Sequence, residues 1–176
     1  AFRMKAEDFD EAFEKWLRER FKPYRDRQRP TDWGRNLAPD PEKGSLTQVL
    51  AFAPSPSGEL VAALVGNRSE GEVDVVLLST GERGAVKNLT GGFTGQYESI
   101  TLSDEFTAGR SLDFSPQGDA VAFFARRGKG RSLFVVSVLT GKVIHRHDVP
   151  LDQAQGPAFL PDGSAGAAVC YPHLTG

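Results

Sequence analysis

The chain has 176 residues, a net charge of −2 at neutral pH and a pI near 6.0. That balance gives no drive toward nucleic acid or an anionic membrane surface, and no apolar run approaches the roughly 20 residues that span a bilayer. A lone cysteine, Cys170, excludes an internal disulfide and reads as a core thiol.

The first predicted element is an amphipathic helix from Asp8 to Phe21. Phe9, Phe13, Trp16, Leu17 and Phe21 fall on one face at helical spacing. Asp8 with Glu11 three residues on has the form of a capping box. Acidic residues crowd the start and Arg18, Arg20 and Lys22 the end, the order the helix dipole favours. Pro23 is expected to stop the helix, because the residue before a proline avoids the α region. Burying each large apolar side chain would contribute roughly 1.5–3 kcal/mol. The helix is therefore expected to dock, either on the rest of this chain or on a domain outside it.

Residues 23–45 read as an extended connector with Pro23, Pro30, Pro39 and Pro41. Arg25, Arg27, Arg29 and Arg35 make it locally basic, but Asp26, Asp32, Asp40 and Glu42 interleave with them. A linker, solvated or docked, is the expectation, not a nucleic-acid patch.

From residue 46 the chain writes one pattern twice and begins it a third time. Ala53-Pro54-Ser55-Pro56-Ser57-Gly58 opens the first copy, Phe114-Ser115-Pro116-Gln117-Gly118 the second, and Leu160-Pro161-Asp162-Gly163 the third. Gly58 to Gly81 and Gly118 to Gly141 are both 23 positions, counted directly along the chain. Each copy holds runs of Val, Leu, Phe and Ala between turn residues, the mark of short β-strands. Proline presets φ and glycine accepts φ > 0, so Pro-x-Gly suits a tight turn, and Thr80-Gly81 and Thr140-Gly141 are assigned the same work. Gly128-Lys129-Gly130 reads as a hairpin turn. Because the strands are apolar at almost every position, both faces of each sheet should be covered. Four short strands in about 40 residues is the signature of a propeller blade. Gly58 and Gly118 lie 60 residues apart, Gly118 and Gly163 only 45. The excess is placed in 91–110, expected to be a long loop between blades and the first candidate for a contact surface.

His-Glu-x-x-His, Gly-x-Ser-x-Gly, a P-loop and Gly-x-Gly-x-x-Gly are all missing from the sequence; Gly163-Ser164-Ala165-Gly166 lacks the elbow spacing. His145 and His147 share a face of a predicted strand beside Asp148, a spacing a metal could use, but no third ligand is evident. Asn67-Arg68-Ser69 and Asn88-Leu89-Thr90 match the glycosylation sequon and are read as chance. The assignment is therefore no catalytic, cofactor-binding or metal residue in this chain, and no cofactor.

Phe114-Ser115-Pro116-Gln117-Gly118-Asp119-Ala120-Val121-Ala122-Phe123, followed by Leu133-Phe134-Val135-Val136-Ser137 and Thr140-Gly141-Lys142, resembles the WD40-like (PD40) repeat of the periplasmic TolB protein and of propellers attached to bacterial peptidases. The resemblance covers roughly 46–171, although Leu160 replaces the usual Ser in the third copy and the first copy carries an additional Pro-Ser. Residues 13–26 with Arg35-Asn36-Leu37-Ala38-Pro39 also resemble a junction in large secreted bacterial proteins, between a zinc-peptidase-like domain and a TolB-like propeller. The resemblance implies a mainly β chain. It would hold two propeller blades and the start of a third over 46–176, after one helix (1–22) and a linker (23–45). It implies a periplasmic or secreted, non-catalytic module that binds protein or peptide. The alternative is the accessory propeller of a peptidase, zinc- or serine-dependent, whose active site lies outside the chain. A chain that starts at Ala1 and stops inside the third copy reads as a piece of a longer protein. An uncovered blade face would then favour self-association.

Overall fold

The computed structural model describes residues 5–25, 27, 29, 33–40, 42–81, 85–91, 95–103, 110–150, 154–163 and 166–170. The chain divides into two compact units, Ala1–Asn36 and Leu37–Gly176.

In the first unit, α1 spans Ala6–Arg25, longer than expected at both ends. The amide of Phe9 donates to the Lys5 carbonyl at 3.1 Å, so the first turn forms before Asp8. Asp8 thus sits inside that turn with Glu7, favoured by the dipole but not as the cap. Pro23 does not end the helix. Its fixed φ near −65° is itself helical, and its missing N–H forfeits one hydrogen bond in the final turn only. Phe21 and Tyr24 hold that turn with ring centroids 6.2 Å apart, and the Arg27 guanidinium lies 4.6 Å above the Tyr24 ring.

The second unit is mainly β and antiparallel. The first sheet is a meander of β1 (Leu46–Pro54), β2 (Leu60–Asn67), β3 (Glu72–Ser79) and β4 (Ala85–Asn88), neighbours in chain order. The second holds β5 (Ser99–Ile100), β6 (Leu112–Phe114), β7 (Ala120–Arg127), β8 (Gly130–Ser137) and β9 (Val143–Val149). There β5 and β6 share one edge of β7, and β8 and β9 follow on the other. β10 (Ala154–Phe159) and β11 (Gly166–Cys170) form a two-stranded third sheet.

The repeated turns recur as repeated geometry. Gly58, Gly118 and Gly163 have φ of 73°, 74° and 70°, the left-handed region that a side chain would strain. Each glycine amide closes the turn on the carbonyl three residues back, at 2.8–2.9 Å. Ser115 Oγ accepts from the amides of Asp119 and Ala120 at 3.1 and 3.0 Å and donates to Asp119 Oδ1 at 2.6 Å. Ser55 Oγ likewise accepts from Leu60 N at 3.1 Å. Ser55 is thus the counterpart of Ser115, and the first copy is regular after all. Leu160 has no hydroxyl to offer the third turn. The second turn pair is not equivalent: Gly141 is left-handed at φ 70°, whereas Gly81 is not and donates to Ser79 Oγ. At Gly128-Lys129 only the glycine has positive φ, as a type II′ hairpin requires.

Alternation along the strands sorts side chains to two faces. Ala62, Leu64, Val75 and Leu77 of the first sheet share one core with Val121, Phe123, Phe134 and Val136 of the second. The opposite face of the second sheet, with Ala122, Phe124, Leu133 and Val135, packs with Ala154 and Phe159 of β10. Ala62 and Ala122 are equivalent in the repeat, as are Leu64 and Phe124, so equivalent residues point the same way along the stack. The sheets are therefore layered head to tail, not as a sandwich in which like faces meet. The other face of the first sheet is also covered: Ala63, Val65, Val76 and Leu78 are buried, with Leu37, Leu46, Val49 and Val61 packed on them. Leu37 and Pro39, in the span read as connector, belong to the β unit and turn inward. Lys87 on β4 reaches the next layer, its Nζ donating to the Leu139 carbonyl at 2.6 Å.

Phe123 is fully buried between two layers, while Leu139 is 85 % exposed. Phe123→Ala should lower unfolding free energy by about 3–5 kcal/mol, and Leu139→Ala should stay within about 0.5 kcal/mol of the parent. Urea titration followed by circular dichroism measures both.

Candidate functional site

β1, β6 and β10, the strands that lead into the three repeated turns, lie side by side, with β6 against both of the others. All three are interrupted at a similar level. In β1 the register shifts between Val49 and Ala51, leaving Leu50 as the extra residue of a bulge. In β10 it shifts between Gln155 and Pro157, with Gly156 extra at φ 70°. In the second sheet the interruption is larger, because residues 101–111 separate β5 from β6 along the same edge of β7. Such irregularities re-aim side chains and collect near binding sites.

The base of this insertion is tied. Ser103 N donates to Ser111 Oγ at 2.9 Å, and Ser103 Oγ donates to the Arg110 carbonyl at 2.6 Å while accepting from Gly156 N at 3.2 Å. One hydroxyl thereby joins the insertion to the bulge of β10. Asp113 makes a second link, Oδ2 accepting from Phe159 N at 2.7 Å. Its Oδ1 faces Arg110 Nη1 at 3.4 Å.

Between β1 and β6 these strands leave a cleft of about 400 Å³, lined by Phe52, Pro54, Pro56, Arg110 and Asp113 among others. Phe52 is 70 % exposed and the Arg110 side chain 71 %. An open aromatic surface beside a guanidinium can take an apolar side chain and an anionic or carbonyl group together. The fixed backbones and prolines around it lose little entropy on binding. Neither Phe52 nor Arg110 stood out in the sequence. The nearest signal was the excess of the first repeat interval over the second, although the interruption at 101–111 falls between β5 and β6 of one sheet and not between two sheets.

The stretch 91–110 is therefore not a loop throughout; its residues 92–94 and 104–109 lie outside the described ones. Tyr97 enters the core, its ring centroid 5.5 Å from Phe134 and 6.2 Å from Phe123. Ser99 and Ile100 pair with β7. Burial pushes the Tyr97 hydroxyl up to about 12, partly offset by a hydrogen bond with Thr90 and reinforced by the Asp74 charge. Asp74 is buried and accepts from Asn67 Nδ2 at 2.8 Å, Asn88 Nδ2 at 2.9 Å and Thr90 Oγ1 at 3.0 Å. Both sequon asparagines thus spend their amides on one carboxylate, a network that sequence reading missed.

His145 and His147 lie on β9 opposite Val135 and Leu133, on one face. Asp148 pairs with Ser132 and points to the other face, so the three do not converge. Ser132 Oγ donates to Asp148 at 2.7 Å and, with Arg146 and Arg127 nearby, holds its carboxyl below the usual range. Among the described residues no group of three or more His, Cys, Asp or Glu is placed to hold a metal. The side chain of Cys170 and the Ser164-Ala165 step lie outside the described residues. No protein-family model matches the chain, and no curated protein is significantly similar to it.

Tyr97 gives the core an alkaline limit. Its folded value, about 12, exceeds the 10.0 ordinary for tyrosine, so the folded state holds the proton more tightly. The associated stability is complete below the lower value and falls as pH rises through the higher. Urea midpoints should therefore drop across that window, and Tyr97→Phe, although less stable at neutral pH, should show a flatter profile there.

Proposed function

We propose that the β unit belongs to a WD40-like β-propeller and serves as a non-catalytic module that binds a protein or peptide at its inner-strand cleft. The observation that carries this reading is the head-to-tail layering, in which equivalent residues of successive antiparallel sheets face the same way and β1, β6 and β10 come together. In a propeller the first strands line the central channel, where chain irregularities are exposed to a ligand. The resemblance of Phe114–Phe123 to the PD40 repeat supports the same reading and suggests a periplasmic or secreted bacterial setting.

Chemistry of the cleft favours an extended peptide with an apolar side chain for Phe52 and an acidic or carboxy-terminal group for Arg110. Panning a peptide display library on the immobilised chain, then titrating the enriched peptides calorimetrically, tests it. Enriched sequences should pair an aromatic or aliphatic residue with an acidic one, and Phe52→Ala should weaken binding by roughly tenfold or more. Enriched peptides whose affinity ignores both Phe52→Ala and Arg110→Ala would place the binding surface elsewhere.

A further inference from the structure

In the apolar stripe of α1, Phe9, Phe13, Trp16 and Phe21 are between 46 and 55 % exposed. Phe9 and Phe13 stack at 6.0 Å, as do Phe13 and Trp16, so the stripe is a continuous aromatic surface and not scattered rings. Surfaces of this kind are covered when the protein works.

Two features of the helix say what covers it. The first is charge. From Glu7 to Glu14 the charged residues are Glu7, Asp8, Asp10, Glu11 and Glu14, all acidic. From Lys15 to Arg25 they are Lys15, Arg18, Arg20, Lys22 and Arg25, against the single acid Glu19. The helix is an acidic half followed by a basic half. Only a partner with the opposite order along the same line complements it, and a second copy of α1 laid antiparallel has that order. The second feature is the symmetry of the stripe. Phe9 and Phe21 each lie six positions from Lys15, and Phe13 and Leu17 each lie two. A two-fold axis at that level therefore sets Phe9 against Phe21 and Phe13 against Leu17, with Trp16 beside Glu14. A two-fold interface must be self-complementary, residue i meeting j while j meets i, and this helix has that property in both charge and shape.

We infer that α1 is a homodimerisation element, pairing antiparallel with α1 of a second copy through Phe9, Phe13, Trp16, Leu17 and Phe21. A parallel pair would set the acidic halves together and the basic halves together, which like-charge repulsion opposes. The inference stands apart from the propeller reading, since it rests on the first unit alone.

Sedimentation equilibrium of the 176-residue chain at micromolar concentration should find a dimer, and Trp16→Glu should make it a monomer. Two charge variants then test the orientation. Asp8→Lys with Asp10→Arg leaves only Glu7, Glu11 and Glu14 as acids in the acidic half, beside two new bases, and Arg20→Asp with Lys22→Asp leaves only Lys15, Arg18 and Arg25 as bases in the basic half, beside Glu19 and two new acids. Each alone should weaken self-association by roughly tenfold, while an equimolar mixture should form the heterodimer. The mixture also shows that both variants still fold. A wild-type chain that stays monomeric would overturn the inference and leave the stripe to another domain or partner. A dimer indifferent to Trp16→Glu would overturn it in favour of contacts through the sheets, and variants that fail to recombine would overturn the antiparallel arrangement.

Discussion

Burial of both faces of the second sheet is the constraint on which the β unit depends. Phe123 and Phe134 stack with centroids 5.6 Å apart and face the first sheet, while Phe124 faces the third. A sheet with large apolar groups on both sides cannot stand at a surface, so it requires a layer in front and a layer behind. The repeat makes that requirement propagate. If each layer carries the same residues to the same side, each must find a next layer, and the arrangement extends until something closes or caps it. On the first sheet Leu37 and its neighbours supply such a cover.

Polar links fix the spacing and direction of these layers. Lys87 to the Leu139 carbonyl, Asp113 to the Phe159 amide and Ser103 to the Gly156 amide each join one sheet to the next. The turns nest as well: a Cβ placed on Gly163 would come within 2.7 Å of Gln117 Oε1, and one on Gly118 within 3.6 Å of Pro56 Cδ. Each link uses a residue of one repeat against the succeeding one, consistent with the direction that the apolar residues already impose. The insertion of 101–111 falls between β5 and β6 on one edge of β7, and the ladder of β7 with β8 runs past it without a register shift.

Much of this was legible in the sequence because the signals were local. Pro-x-Gly demands one backbone conformation, and the three copies adopt it. Apolar residues at every position announce two covered faces. What stayed hidden depends on partners distant in sequence. Tyr97 and Ile100 look like loop residues until β7 and the Phe123–Phe134 pair stand beside them. Asn67, Asn88 and Asp74 are unremarkable polar letters until the strands bring them together. Pro23 illustrates the opposite error: a strong local rule applied where its penalty is small, in a last turn that forfeits one hydrogen bond. The cleft was the least legible part, since Phe52, Arg110 and Asp113 carry no motif and acquire meaning only where β1 and β6 meet.

The central claim is the head-to-tail order of the layers, because the position of the cleft depends on it and the proposed function rests on it. Nuclear Overhauser contacts from the two adjacent rings of β7 test it most directly. Head-to-tail layering predicts contacts from Phe123 to Leu64, Val75 or Leu77 of the first sheet, and from Phe124 to Ala154 or Phe159 of the third. A sandwich of like faces would instead bring Phe124 against Leu64 and leave Phe123 without contacts to the first sheet, and that result would contradict the account.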